Sequence, residues 1–393
     1  MDTTNFLTKT SMSRRNDKNP SGVYCIAMDV GYSSVKVMSS NMAAIFPSFA
    51  IPDKDVQTAG SLSDDYIKYK NLLTGEKWLV GRMALEQLSD ADTDMADSSL
   101  YKRDRYTDPM FKVISETGLG LACLYDDAGV RLRSKIVLET GLPPKYMAKN
   151  SYDITALTET LSGRHFFQLT FGNQRPRVFD ITIEPGNVHI MPQPMGTLFS
   201  VAFDNDHRAL KYAGSYFTKN VMIFDGGFGT LDLYPIKSHV IQSCETYSNL
   251  GMRRVLEETS NQIRERFAME ISVPAMQKYL RKGSFRWFDR KAVASHTEPL
   301  GDILAECSLS VCNEAIDKLL QAYPALYEYD YLIVTGGTGE AWFDRIKERL
   351  GGMEALQIVK GSQNDTLPTT FSNVRGYYMY NWQSQCGGKG QNG

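Results

Sequence analysis

The six cysteines of this 393-residue chain (Cys25, Cys123, Cys244, Cys307, Cys312 and Cys386) form no C-x-x-C pair, and its five histidines show no H-E-x-x-H and no other metal-ligand spacing. These absences argue against a zinc site of the usual pattern and against a disulfide framework. Scattered thiols, several in apolar runs, are expected to be reduced and mostly buried, as in a reducing compartment. No run approaches the roughly 18 apolar residues of a membrane span. The polar amino terminus has no apolar signal core. Neither sign of charge is in excess, since 43 Lys and Arg against 45 Asp and Glu leave a net charge of -2. That balance gives no reason to expect a direct, sequence-independent grip on nucleic acid. The expectation is a cytoplasmic protein with no membrane and no direct nucleic-acid partner.

What is present is ordinary globular material, 42% hydrophobic and 22% charged, in a chain of 393 residues, long enough for two or more cores. The stretch that organises it is residues 221–233, VMIFDGGFGTLDL. A short apolar run suits a buried strand. It turns on Gly226, Gly227 and Gly229 and resumes as a second apolar run. Backbone N–H groups at the tip of such a turn can cradle phosphate oxygens. Asp225, where the first strand ends, can face a metal ion beside them, and magnesium suits a site with few protein carboxylates. On this stretch alone, a tight turn with a solvated aspartate is an equally good reading. Residues 24–37, YCIAMDVGYSSVKV, have the same grammar of strand, aspartate, glycine turn and strand, about 200 residues earlier. Two such hairpins suggest a duplicated fold that grips phosphates from both sides.

In chain order, residues 1–21 are polar and read as a flexible extension. On the return strand of the first hairpin, Lys36 can reach a phosphate as a point charge. Residues 45–52 end in prolines, as an edge strand would. Residues 66–81 read as a hairpin and 82–88 as a helix, which suggests a small inserted subdomain at about 45–105. Residues 90–97 form an acidic loop. A helix is expected at 109–124, a buried strand at 135–141, a helix at 152–161, and strands at 166–169, 177–183 and 188–191. Pro192 and Pro194 then hold Gln193 in extended backbone, where its amide can orient a water for attack on phosphorus. A proline-rich turn with a solvent-facing amide fits the local sequence as well. Residues 238–246 read as a strand, and residues 248–251 offer capping chemistry for a helix at 252–269. Helices are expected at 276–281 and 298–320. The buried strand 331–335 stops at Gly336, Gly337, Thr338 and Gly339, where a base or ribose can lie against the backbone, and a helix follows at 340–350. Residues 371–380 enter a closing helix, and the tail from 384 is flexible.

The order of aspartate hairpin, Pro-Gln-Pro junction, second aspartate hairpin, Gly-Gly-Thr-Gly turn and closing helix resembles the ATPase fold shared by actin, the heat-shock chaperone ATPases and the sugar kinases. Within that group the chain resembles the bacterial plasmid-segregation actins, the ParM/StbA family. Residues 29–37 look like the first phosphate loop, 191–196 the first connecting segment, 223–232 the second phosphate loop, and 245–252 the segment opening the nucleotide-contacting helix. Tyr32 departs from the small serine common in actins, and Phe228 interrupts a glycine run.

The resemblance implies an α/β protein of actin-like fold, with two duplicated ribonuclease-H-like domains around a nucleotide cleft. Domain I spans 22–197 and is completed by helix 373–383. Domain II spans 198–372, and a flexible tail spans 384–393. The implied ligands are ATP (or GTP) and Mg²⁺, the metal held by Asp29 and Asp225 largely through water. Gln193 and Asp225 are the implied catalytic residues. Nucleotide contacts fall to Asp29, Gly31, Tyr32, Ser33, Ser34 and Lys36 in the first hairpin, and to Gly226, Gly227, Phe228, Gly229 and Thr230 in the second. The helix-opening segment adds Glu245, Asn249, Gly251 and Arg254, and the glycine turn adds Gly336, Gly337, Thr338 and Gly339. The implied activity is ATP-driven assembly into filaments that segregate plasmid DNA through an adaptor protein at a centromere-like site. A sugar or small-molecule kinase of the same superfamily, or a non-hydrolysing filament protein, is the alternative. The kinase needs a further catalytic aspartate, where this chain offers Gln193.

Overall fold

The computed structural model describes residues 2–20, 22–54, 61–88, 104–124, 135–149 and 151–387. The acidic stretch 90–97 and residues 388–393 lie outside the described residues.

Two sheets of like topology carry the fold. In the first, Met42–Pro47, Ser34–Ser39, Val23–Val30, Lys135–Leu142 and Val188–Pro192 lie side by side in that order. In the second, the order is Val240–Ile241, Leu231–Lys237, Val221–Gly226, Tyr331–Thr335 and Gln357–Lys360. Each begins with an antiparallel hairpin, Val23–Val30 with Ser34–Ser39 and Val221–Gly226 with Leu231–Lys237. Each continues by two parallel additions beside the hairpin's first strand. The reason is legible in the residues: both first strands are near-continuous apolar runs, buried along almost their whole length, as strands covered on both faces must be. The chain is thus an α/β protein of duplicated architecture.

Helices cover these sheets. Pro109–Ala122 packs on the first sheet, opened by Asp108, whose carboxylate accepts from the Met110 N–H at 2.8 Å. Gln193–Ala202 and Ser372–Gly387 cross where the two halves meet. The crossing depends on glycine, because a Cβ at Gly376 would fall 1.6 Å from the Gly196 carbonyl oxygen.

Several expectations need correction. Residues 2–20 are not a free extension. Thr3–Phe6 form a 3-10 turn, and Ser11–Arg14 pair antiparallel with Met42–Pro47, so the first sheet has six strands. Residues 45–52 are two strands, and Met42–Pro47 is interior, because the amino-terminal strand covers its edge. The inserted sheet reaches beyond 45–105. Ala50–Pro52, Lys77–Val80 and Ile67–Asn71 are joined there by Gly163–Phe171 and Arg177–Ile183. Residues 238–246 make two short strands, Val240–Ile241 and Glu245–Tyr247. Ser284–Asp289 and Ala294–Pro299 form a hairpin that no sequence signal announced. The glycines at 336–339 form the first turn of the helix Gly336–Leu350. The closing helix runs on to Gly387.

Candidate nucleotide site

The two hairpins are built on one register. Asp29 pairs across its hairpin with Lys36, and Asp225 pairs with Asp232 at the same offset. The Gly31 N–H donates to Ser34 O at 3.0 Å, and the Gly227 N–H donates to Thr230 O at 2.9 Å. Each turn therefore holds its aspartate two residues before the glycine that closes it. The tips come together where Tyr32 lies against Gly229, a Cβ on which would be 3.3 Å from the ring. The Arg105 guanidinium stands 4.7 Å from the Tyr32 ring centroid and donates to Val30 O at 2.9 Å, steadying that tip from behind.

Between the hairpins lies a cavity of about 1120 Å³. Its walls include Asp29, Gly31, Tyr32, Ser33, Ser34 and Lys36 from the first hairpin, and Asp225, Gly227, Phe228 and Thr230 from the second. Gln193 also lines it, not from extended backbone as expected but as the first residue of its helix, where Pro192 is the extended N-cap and Pro194 is tolerated in the first turn. Gly336, Gly337 and Thr338 line it too. The volume exceeds what one small ligand needs, since such pockets usually measure roughly 300–1,000 Å³.

The remaining expected residues are placed otherwise. Gly226, Gly229 and Gly339 sit behind the wall: a Cβ at Gly226 would meet the Gly339 nitrogen at 2.6 Å. Glu245, Asn249, Gly251 and Arg254 are not among the lining residues. Glu245 and Asn249 are exposed, and Arg254 turns to Glu258 at 2.6 Å. The N-cap of helix Met252–Phe267 is Gly251, within the expected stretch 248–251, but it makes no side-chain bond. The Met252 and Arg253 N–H groups instead donate to Gly227 O (3.3 Å) and Phe228 O (2.8 Å), so the hairpin tip itself satisfies that helix end. Gly336 has φ +80°, and a Cβ there would lie 2.2 Å from Gly226 O and 2.8 Å from Asp225 Oδ1. Glycine is required at that position by the approach of the second hairpin.

The electrostatics are those of a crowded acid pair. Burial, then the neighbouring Asp232 carboxylate, push Asp225 up to about 7, and Asp29 adds to the push. The Asn373 amide, donating to Asp225 Oδ2 at 3.0 Å, and the Lys36 ammonium act the other way. Lys36 Nζ is 3.0 Å from Asp29 Oδ2, so the first hairpin is internally neutralised and the second is not. Asp232 is likewise raised by burial, against the hydroxyls of Thr246 (2.6 Å) and Thr230 (2.7 Å) and the charge of Lys145.

Sequence reasoning passed over four of these groups. Asp232 carried a usable signal, because it stands as far from Asp225 as Lys36 does from Asp29. Asn373, Lys145 and Arg105 carried none.

Comparison with known proteins fits this geometry. Residues 27–196 match the family model described as the actin-like proteins' N-terminal domain. No curated protein matches the chain in sequence. Among solved structures, the chain is similar to a non-polymerisable quadruple mutant of pCBH ParM, with 21% identity, 92% of this chain and 99% of the other covered, and a TM-score of 0.68. A 15-stranded ParM filament from Clostridium botulinum gives 20% identity, coverage of 92% and 99%, and a TM-score of 0.67. The archaeal actin homologue Ta0583, in complex with ADP, gives 15% identity, coverage of 90% and 98%, and a TM-score of 0.58. Residues 27–196 are thus similar to the amino-terminal domain of the actin-like proteins, and over about nine-tenths of its length the chain has the actin-like fold seen in ParM.

Proposed function

We propose that this chain is a nucleotide-driven, filament-forming ATPase of the cytoplasm that segregates plasmid DNA through an adaptor protein at a centromere-like site. One observation carries the reading: Asp29 and Asp225, far apart in sequence, border one cavity together with Gln193. That arrangement suits a triphosphate gripped from both sides, with ATP the first candidate and GTP the second.

The residues also fit a hydrated magnesium ion. Asp29, Asp225 and Asp232 line the cavity against Lys36 and Lys145, and Asp225 resists ionisation without a further cation. Among the described residues no group of three or more carboxylate, imidazole or thiol ligands is spaced to seize a metal directly. That suits an ion that keeps its waters and takes phosphate oxygens. When bound, it would supply charge neutralisation for the phosphates. Asp29 and Asp225 would orient its water shell, Lys36 would hold Asp29, and Asn373 would hold Asp225. The Gln193 amide would place the attacking water, and backbone N–H groups at the hairpin tips would hold phosphate oxygens. Catalysis is then positioning and electrostatics, with no covalent intermediate.

The experiment is phosphate release measured alongside sedimentation, with and without ATP–Mg²⁺, for the native chain and Asp225→Ala. Nucleotide-dependent pelleting with phosphate release, lost in the variant, supports the reading. Wild-type turnover in Asp225→Ala overturns it. Phosphorylation of a sugar without pelleting would favour the kinase.

A further inference from the structure

Residues 2–20 start on one half of the molecule and finish on the other. The Thr3–Phe6 turn is capped by Asp2, whose carboxylate accepts from the Thr4 N–H at 2.9 Å. Phe6 is buried in the core that holds Met222, Phe224 and Leu280. Thr3 Oγ1 donates to Leu280 O at 2.6 Å, and the Thr8 N–H donates to Gln277 Oε1 at 3.0 Å. Both acceptors belong to the helix Val273–Lys282 of the second half. By Ser11 the chain has reached the first half, where Ser11–Arg14 pair with residues 42–45. The Arg15 and Asp17 N–H groups donate to Asn41 O and Ser40 O, both at 2.9 Å. Trp382 Nε1 donates to Lys18 O at 2.8 Å.

Only Lys9 and Thr10 lie between the two sets of anchors. Three Cα steps span at most roughly 11 Å. Thr8 and Lys9 line the same cavity as Asp29 and Asp225. With both anchors seated, the halves cannot swing apart at this mouth by more than that short tether allows.

We propose that the amino-terminal segment is a strap that fastens the two halves across the cavity mouth and gates passage of the nucleotide. The gating role rests on the nucleotide reading above, whereas the tether rests on the contacts alone. The two anchors are unequal. The first-half anchor is a strand ladder with further backbone and indole bonds. The second-half anchor is one turn, the buried Phe6 ring, the partly buried Leu7 side chain and two hydrogen bonds, so release occurs at this end.

Two measurements on the full chain test this. In the first, a fluorescent N-methylanthraniloyl ATP is loaded with Mg²⁺ and its dissociation is timed in the native chain, Phe6→Ala and Gln277→Met. Dissociation should quicken about tenfold in Phe6→Ala, since a buried phenyl is worth at least that factor, and less in Gln277→Met. In the second, no nucleotide is needed. Spin labels are placed at the exposed positions 73 and 293 through a ketone-bearing amino acid that spares the native thiols. Their distance distribution should be single and narrow in the native background and longer or broader with Phe6→Ala. Superimposable distributions overturn the strap. Changed distributions with unaltered dissociation keep the tether and overturn the gate. Failure of every form to bind the analogue refutes the nucleotide reading, while the label distances still decide the tether.

Discussion

Asn373, at the start of the closing helix, donates its amide to Asp225 Oδ2 at 3.0 Å, across 148 positions of sequence. This bond joins the element that completes the first half to the aspartate next to the end of a strand of the second. It is one of the few interactions opposing the burial and like-charge repulsion acting on Asp225.

The first prediction concerns that carboxyl. Its ordinary value of 3.8 is raised to about 7 in the fold. Between about pH 4 and pH 7 the folded protein therefore keeps a proton that the unfolded chain has lost. Stability falls as pH rises through this window and levels off above it. Nucleotide-free Asp225→Asn should melt a few degrees above the native chain at pH 8. Near pH 4 the two should melt together. Thermal unfolding followed by circular dichroism across this range is the check.

The Asp29–Lys36 pair supports a second. Both side chains are mostly buried, with 11% and 12% exposed, so removing one strands the other. Lys36→Met should cost roughly 2–3 kcal/mol in urea unfolding. The double variant Asp29→Asn with Lys36→Met should recover most of that loss. An additive double-variant cycle would show that the pair is not coupled.

At the helix crossing, Gly376→Ala places a Cβ 1.6 Å from the Gly196 carbonyl oxygen. The helices must separate, and overpacking of this kind costs about 3 kcal/mol or more. Denaturant midpoints should fall accordingly. Gly352→Ala, with nothing within 4 Å of the added carbon, should leave them nearly unchanged.

Gln193 lines the cavity from the first turn of its helix. If it places the attacking water, Gln193→Ala should slow phosphate release about 100-fold. Affinity for the fluorescent ATP should stay within about threefold of native, because the phosphate-gripping hairpins are untouched. Equal losses in both quantities would assign the side chain to binding instead.

The elements that could be read in advance were those whose local chemistry leaves little choice. Tyr331–Thr335, Tyr152–Leu161 and both aspartate hairpins combine buried runs or helical periodicity with clear punctuation. The amino-terminal strand has no such signature. Ser11–Arg14 is largely exposed and pairs through backbone groups, which almost any sequence can do. The same holds for the Ser284–Asp289 and Ala294–Pro299 hairpin, whose faces are mostly solvated. Arg254 stands apart from the cavity wall, and its guanidinium pairs with Glu258 one helical turn on, an i,i+4 contact set by the helix itself.

By itself, the sequence determined two buried strands that each carry an aspartate next to their end, followed by a glycine turn. Apolar runs and glycine act on their own backbone, so these features follow from short-range sterics and burial. Only the tertiary structure decided that both aspartates border one cavity, that Lys36 neutralises one while Asp232 crowds the other, and that residues 2–20 cross its mouth. The charge state of a buried carboxyl depends on which groups surround it in space, and those groups come from parts of the chain that no local pattern connects.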